Sequence, residues 1–319
     1  MEQIDHKYIA VNNGLKLHVA EISSTSASSP VVLFLHGFPE IWYSWRHQMV
    51  AVAKSGFRVI APDYRGYGLS DIPSQPEKTT YADVISDLIS LMDSFSISKA
   101  FIICKDAGAL VASIFCIQHQ DRVCGLVTIG VPLLPPGPVA FHQHLPEGFY
   151  MSRWKEPGRA EKDFGRFDAK TVVKNIYILF SKSEIPIASE NQEIMDLVEP
   201  NTPLPTWFTE NDLAAYGALY EKSGFSTPLQ IPYRSLGEME TYATGHPDPK
   251  VEVPTLLIMG EKDYVMKFPG IEDYIRSGQV KNLVPNLEII FMPEGTHFVQ
   301  EQSPSEVNQL ILNFLNSHV

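Results

Sequence analysis

The sequence predicts an α/β protein: a mostly parallel central sheet with helices on both faces and a helical cap inserted into it. Three observations carry that expectation. Short continuous apolar runs recur, as in Val31-Val32-Leu33-Phe34-Leu35, the pattern of a strand buried on both faces. Stretches of helical periodicity stand between these runs. The alternation then breaks at Pro132 and resumes at Val253.

The elements follow in order. Lys16 to Ala20 alternates in character like a half-exposed strand. A Ser-rich loop ends at Pro30 and leads into the apolar run at 31–35. A helical stretch from Trp45 to Lys54 ends at Gly56, and Arg58 to Pro62 is the next strand. Tyr81 to Phe95 repeats near 3.6 residues, with Val84, Ile85, Leu88, Leu91 and Met92 on one face. Ala100 to Ile103 is a strand, a helix runs through Leu110, Ile114 and Phe115, and Gly125 to Ile129 is a strand. From 132 to 248 the chain is rich in Pro, Gly and charge, with helical pieces at Ala169–Leu179 and Glu210–Lys222 and no buried-strand run. We therefore expect a core domain from 1–131 and 249–319, and a helical cap from 132–248. Strands return at Val253–Met259 and Leu287–Phe291, and an amphipathic helix from Ser305 to Phe314 closes the chain.

The chain has 319 residues and a net charge of −12, from 25 basic and 37 acidic side chains. That balance argues against nucleic acid, whose phosphates need Lys and Arg partners, and against an anionic membrane surface. The cysteines are three, Cys104, Cys116 and Cys124, all in apolar stretches; no disulfide framework is expected. The first residues carry no apolar run, the last three are no peroxisomal address, and the longest apolar stretches are strand-sized. A cytoplasmic protein, monomer or homodimer, is the expectation.

The chemistry starts at the strand ending in Ile103. It is followed by Cys104-Lys105-Asp106-Ala107-Gly108, a polar residue between small ones where a strand turns sharply into a helix. In the α/β-hydrolase fold that turn carries the nucleophile. An esterase would place Ser there; this chain has Asp106. A carboxylate needs no base to deprotonate it and can attack an sp³ carbon to form an ester. The alternative is an Asp that merely caps the helix. An acid and a His should follow downstream in that order. Gly260-Glu261-Lys262-Asp263 follows one late strand and Gly295-Thr296-His297 the other, both beyond strand carboxyl ends, where open α/β sheets place their sites. Asp263 would orient His297, the general base. Glu261 is the rival for the acid. The histidines are scattered and no cluster has metal-ligand spacing, so no metal and no cofactor is expected.

The segment His36-Gly37-Phe38-Pro39-Glu40, taken with Asp106, Asp263 and His297, makes the chain resemble the plant-type soluble epoxide hydrolases of the α/β-hydrolase superfamily. The likeness continues through Trp42-Tyr43-Ser44-Trp45-Arg46-His47-Gln48, Asp63-Tyr64-Arg65-Gly66-Tyr67-Gly68 and Gly295 to Glu301, and covers nearly the whole chain. It implies opening of a small-molecule epoxide by water to a vicinal diol. It implies an oxyanion hole from the backbone N–H groups of Phe38 and Ala107. Two cap tyrosines that polarise the epoxide oxygen match Tyr150, in the stretch running on through Trp154 to Gly158, and Tyr233, in Pro232-Tyr233-Arg234. Glu40 matches a residue that positions the hydrolytic water.

The departures cluster at the elbow. The family pattern is Gly or Ala, His, Asp, Trp, Gly. Here Lys105 stands for His and Ala107 for Trp, with Cys104 at the first position. Losing the aromatic at 107 predicts a roomier pocket. Lys105 has two readings: a cation that supports Asp106 and pairs with Glu40, or a stem that packs while its ammonium reaches solvent. Lys105 and Trp154 are candidates for the substrate pocket. A haloalkane dehalogenase needs side-chain N–H donors for the halide, which Ala107 cannot supply. A diverged protein that binds a ligand, or isomerises or cyclises it, is the alternative to the hydrolase.

Overall fold

The computed structural model describes residues 4–12, 14–24, 26, 28–134, 146–238 and 249–319. The start of the chain read for a targeting signal, and residues 135–145 and 239–248 of the expected cap, lie outside the described residues.

Among the described residues eight strands form one sheet: β1 (Asp5–Ala10), β2 (Lys16–Ile22), β3 (Val31–Leu35), β4 (Arg58–Pro62), β5 (Ala100–Lys105), β6 (Val123–Ile129), β7 (Thr255–Gly260) and β8 (Leu287–Met292). Their spatial order is β1-β2-β4-β3-β5-β6-β7-β8. β1 and β2 pair antiparallel at one edge, β2 meets β4 antiparallel, and every later pairing is parallel.

The apolar runs are explained by two separate cores, one on each face of the sheet. Leu33, Leu35, Ile102, Cys104, Leu126 and Leu257 face helices α2 (Tyr81–Ser94) and α3 (Ala107–His119). The intervening residues Val32, Phe34, Phe101, Ile103, Val127 and Leu256 face α1 (Arg46–Lys54) and the C-terminal helix Pro304–His318. A strand whose successive side chains enter opposite cores cannot alternate with polar residues. The five residues expected on the inner face of α2 are all buried, and its start is fixed by a capping box between Thr80 and Asp83.

Three details differ from the sequence reading. β1 was not foreseen: it is an edge strand with mostly exposed side chains, and Asp5-His6-Lys7-Tyr8 carries no apolar signal. β5 runs two residues past Ile103, so Lys105 is its last residue and Asp106 sits directly on the turn. The strand expected from Val253 begins at Thr255, because Pro254 has no N–H for the ladder and spends its carbonyl on Leu126.

Between β6 and β7 lie helices α4 (Tyr150–Lys155), α5 (Arg159–Phe164), α6 (Ala169–Phe180) and α7 (Glu210–Ser223). α6 and α7 start at side-chain caps, Asp168 to Thr171 N–H and Thr209 to Asp212 N–H. This helical segment is tied to the sheet side by buried polar groups. Glu301 accepts from Tyr177 of α6 at 2.8 Å and from Tyr216 of α7 at 3.2 Å, and pairs with Arg46 of α1. Arg46 also bonds Asp212 at 2.9 Å. Among the described residues no helix is long and apolar enough to cross a membrane.

Candidate active site

The site lies at the carboxyl ends of the central strands, where β3, β5, β6, β7 and β8 each give way to a loop. Asp106 sits between β5 and α3 with φ 50° and ψ −123°, a backbone conformation rare for a residue with a side chain. It makes no side-chain cap bond to α3, which removes the reading of Asp106 as an ordinary helix cap. Its neighbours are small out of necessity. A Cβ on Gly37 would stand 2.5 Å from the Asp106 Cβ, and one on Gly108 would strike the Leu35 carbonyl oxygen.

Asp106 Oδ1 accepts a hydrogen bond from the Phe38 N–H at 2.9 Å. Its Oδ2 lies 3.4 Å from His297 Nε2, and a fifth of the side chain stays exposed, 20 %. Burial pushes the carboxyl up, but the His297 imidazole, the Lys105 ammonium and the Phe38 N–H together outweigh it and hold it down at about 2. Asp106 is therefore ionised throughout the physiological range.

His297, nearly enclosed on the loop after β8, directs Nδ1 at both carboxylate oxygens of Asp263, each at 3.1 Å. Burial and Lys105 lower its proton affinity, while Asp263 and Asp106 raise it, and the balance lies above the ordinary imidazole value. Asp263 also accepts from the Val265 N–H, which fixes its carboxylate. Glu261, the rival acid, turns outward to Arg276 and does not reach His297. The position of Gly130 at the end of β6 keeps that corner open: a Cβ there would stand 3.0 Å from Asp263 Oδ2.

Asp106 and Ala107 face a partly open cavity of about 70 Å³. Its walls are mainly apolar, including Leu110, Leu134, Met151, Val265 and Phe268. The polar groups on the wall are few: Asp106 and the tyrosines Tyr150, Tyr233 and Tyr264. Tyr150 is the first residue of α4, and Tyr233 lies in a π-helical turn at Gln230–Arg234. Their rings meet edge to face at 6.0 Å between centroids. Burial holds both phenols above their ordinary value, so each is a hydrogen-bond donor at neutral pH.

Glu40 is enclosed beside the elbow. It accepts from the Gly37 N–H at 3.1 Å and from the Gln300 amide. Burial raises its carboxyl to about 7, with the Lys105 charge opposing and Asp106 reinforcing.

Two expectations need correction. Neither Lys105 nor Trp154 lines the cavity. Trp154 is buried behind it, its ring edge-on to Tyr150 at 5.1 Å and Tyr233 at 5.2 Å, so it packs the two tyrosines from the rear. Lys105 is wholly buried; its ammonium neither reaches solvent nor makes an ion pair with Glu40, and stands 5.1 Å over the Phe298 ring. Burial on strand β5 leaves no path outward for its stem. Cys104 is likewise enclosed, and burial pushes its thiol well above the usual range, so it is inert.

Sequence reasoning missed Tyr264 and Glu301. Tyr264 immediately follows the acid, and that position alone was the available signal. Glu301 lies in a motif already noted, but its partners are more than eighty residues away and only the fold brings them together.

Residues 30–304 match the family described as alpha/beta hydrolase fold. Epoxide hydrolase 1 and epoxide hydrolase 3 of Siraitia grosvenorii are 37 % and 36 % identical to the chain, each alignment spanning 99 % of both proteins. The chain belongs to the plant-type epoxide hydrolases of the α/β-hydrolase family. Solved structures agree over the same length. A mutant of a Vigna radiata epoxide hydrolase superposes with a TM-score of 0.89 at 37 % identity, covering 99 % of this chain and all of that one. A laboratory-evolved variant of potato epoxide hydrolase gives the same TM-score and coverage at 33 % identity.

Proposed function

We propose that this chain hydrolyses epoxides to vicinal diols through an alkyl ester on Asp106. The observation that carries the reading is the convergence on one apolar cavity of an ionised carboxylate and two protonated phenols, with a carboxylate-bound imidazole 3.4 Å behind the nucleophile.

In the first half-reaction a carboxylate oxygen of Asp106 attacks one epoxide carbon. A C–O ester bond forms and the ring C–O bond breaks. The electron pair goes to the epoxide oxygen, which takes a proton from Tyr150 or Tyr233. The apolar walls exclude water, so both the attack and the phenolic donation are stronger than in solution.

In the second half-reaction His297 Nε2 takes a proton from water, and the hydroxide adds to the Asp106 carbonyl carbon. Asp263 fixes the tautomer that leaves Nε2 free and stabilises the imidazolium. The Phe38 N–H, already bonded to Asp106 Oδ1, and the Ala107 N–H hold the oxyanion. Collapse expels the diol oxygen as an alkoxide; the water's two protons, one on the imidazolium and one released as the new Asp106 carboxyl ionises, protonate that alkoxide and restore the phenol deprotonated in the first half-reaction. The sum is epoxide plus water giving diol. Glu40 is the acceptor that orients the water. The described part of residues 132–248 acts as a cap that supplies the two tyrosines and walls the cavity with Leu134, Met151 and Leu236.

The experiment is diol formation from a panel of epoxides by the wild type and by Asp106→Asn, with one turnover run in ¹⁸O-water. Diol from the wild type, lost in the variant, with label entering the Asp106 carboxylate and not the first-turnover diol, is the expected result. Label in the first diol would mean direct attack by water. No diol from a folded preparation would favour the ligand-binding alternative.

A further inference from the structure

Lys105 has no part in that cycle, and it is the least explained residue at the site. Its side chain is fully enclosed, and its Nζ has no hydrogen-bond partner among the described residues. A buried ammonium is costly unless something nearby gains from it. Lys105 is the last residue of β5, directly before Asp106, and it does not line the substrate cavity. Its ammonium lies over one aromatic ring, Phe298, at 5.1 Å, and that ring in turn stands 5.2 Å from the His297 imidazole. Tyr177 stacks on Phe298 at 4.2 Å, so the ring is clamped and the charge has little room to move.

We propose that Lys105 is a positioning residue for the hydrolytic half-reaction: without touching substrate, its enclosed ammonium keeps Glu40 an acceptor for the attacking water and His297 free to take that water's proton. The proposal rests on the epoxide-hydrolase reading above.

The charges facing these two groups define what Lys105 can do. Glu40 is surrounded by Lys105, Asp106, Glu301 and His297. Burial and the two carboxylates favour its neutral form, and Lys105 is the largest influence against them. His297 faces Asp263 and Asp106, which favour the imidazolium, with the Tyr264 ring against it at 4.9 Å; Lys105 is the cation that opposes protonation. Both effects act the same way. Without Lys105, Glu40 and His297 hold protons to higher pH, and the water loses its acceptor and its base together. The same charge also lowers the Asp106 carboxyl, but the His297 imidazole and the Phe38 N–H lower it as well, so without Lys105 that carboxyl still ionises below neutrality. Ester formation should therefore be spared and ester hydrolysis should not.

The test compares wild type with Lys105→Met, of similar volume and no charge, Lys105→Gln, and Lys105→Arg. Rapid-quench mass spectrometry follows the alkyl-enzyme, and kcat is measured from pH 5 to 9. In Lys105→Met and Lys105→Gln we expect the acidic limb of kcat to move to higher pH by about one pH unit, with hydrolysis at pH 7 slowed roughly tenfold and the ester accumulating. Ester formation should change less than about threefold, and Lys105→Arg should restore the wild-type limb. A limb and hydrolysis rate unchanged in both neutral variants would overturn the role of Lys105 while leaving the hydrolase intact. Equal slowing of both half-reactions, with no movement of the limb, would also overturn it and mark Lys105 as structural. A wild type forming neither ester nor diol would instead sink the hydrolase reading, and this proposal with it.

Discussion

The hydroxyls of Tyr150 and Tyr264 lie 3.1 Å apart, and the Tyr264 ring stands 4.9 Å from the His297 imidazole. One phenol thus touches both ends of the proposed chemistry, the epoxide-oxygen donor and the base. Tyr264→Phe removes that hydrogen bond and leaves the ring in place. Ester formation should slow about fivefold, the worth of one such bond, while ester hydrolysis stays within about twofold. Single-turnover kinetics separate the two; equal effects on both steps would deny Tyr264 a link to Tyr150.

Tyr150 and Tyr233 are expected to matter more. Each Phe substitution should lower the rate of ester formation by about 10²-fold, the usual contribution of a positioned acid. Burial holds both phenols above their ordinary value. Activity should therefore show no loss from their ionisation up to about pH 10. A basic limb near pH 8 that disappears in either variant would contradict this.

The two half-reactions should respond differently to acid. Asp106 is held at about 2, so ester formation persists well below neutrality. His297 sits above its ordinary value and Glu40 at about 7 in the free enzyme. As pH falls through this range both gain protons, and neither can then serve the water. Esterification removes the Asp106 charge, so the limb for hydrolysis should lie somewhat lower than the free-enzyme values. The alkyl-enzyme should accumulate progressively from pH 8 to pH 5, which mass spectrometry of quenched samples would read directly.

Asp263→Asn should keep the fold and lose kcat by about 10⁴-fold, because the amide cannot hold the same tautomer or stabilise the imidazolium. Glu261→Gln should change kcat less than about twofold, since that side chain is turned to Arg276. A larger loss in the second variant than in the first would reverse the assignment of the acid.

Ala107 lines the cavity next to Asp106. Ala107→Trp fills that space, so the ratio of kcat/KM for a bulky epoxide over a small one should fall by at least about tenfold. An unchanged ratio would mean that another wall sets the size limit.

Glu301 ties α6 and α7 to α1 through Tyr177, Tyr216 and Arg46. Glu301→Ala leaves two buried phenols and a largely buried guanidinium short of a partner. We expect a loss of about 3 kcal/mol, read as a lower Tm or denaturant midpoint. A Tm equal to wild type would show that water replaces the carboxylate at no cost.

The sequence by itself determined the parallel sheet, because strands facing two cores must be continuously apolar, and Val32 and Leu33 do face opposite cores. It also located the sharp turn that carries Asp106, because that turn admits only small neighbours and Gly37 and Gly108 have no room for a Cβ. The edge strand β1 escaped notice because an exposed strand carries no such signature. Only the tertiary structure decided what Lys105 does with its charge, that Trp154 stands behind the tyrosines, and that Glu301 gathers Tyr177, Tyr216 and Arg46. Those outcomes depend on segments that meet across about eighty residues of chain or more. Local pattern fixes which residues face inward, but the environment of a buried charge is set by groups distant in sequence, and electrostatic energy depends on their separation in space.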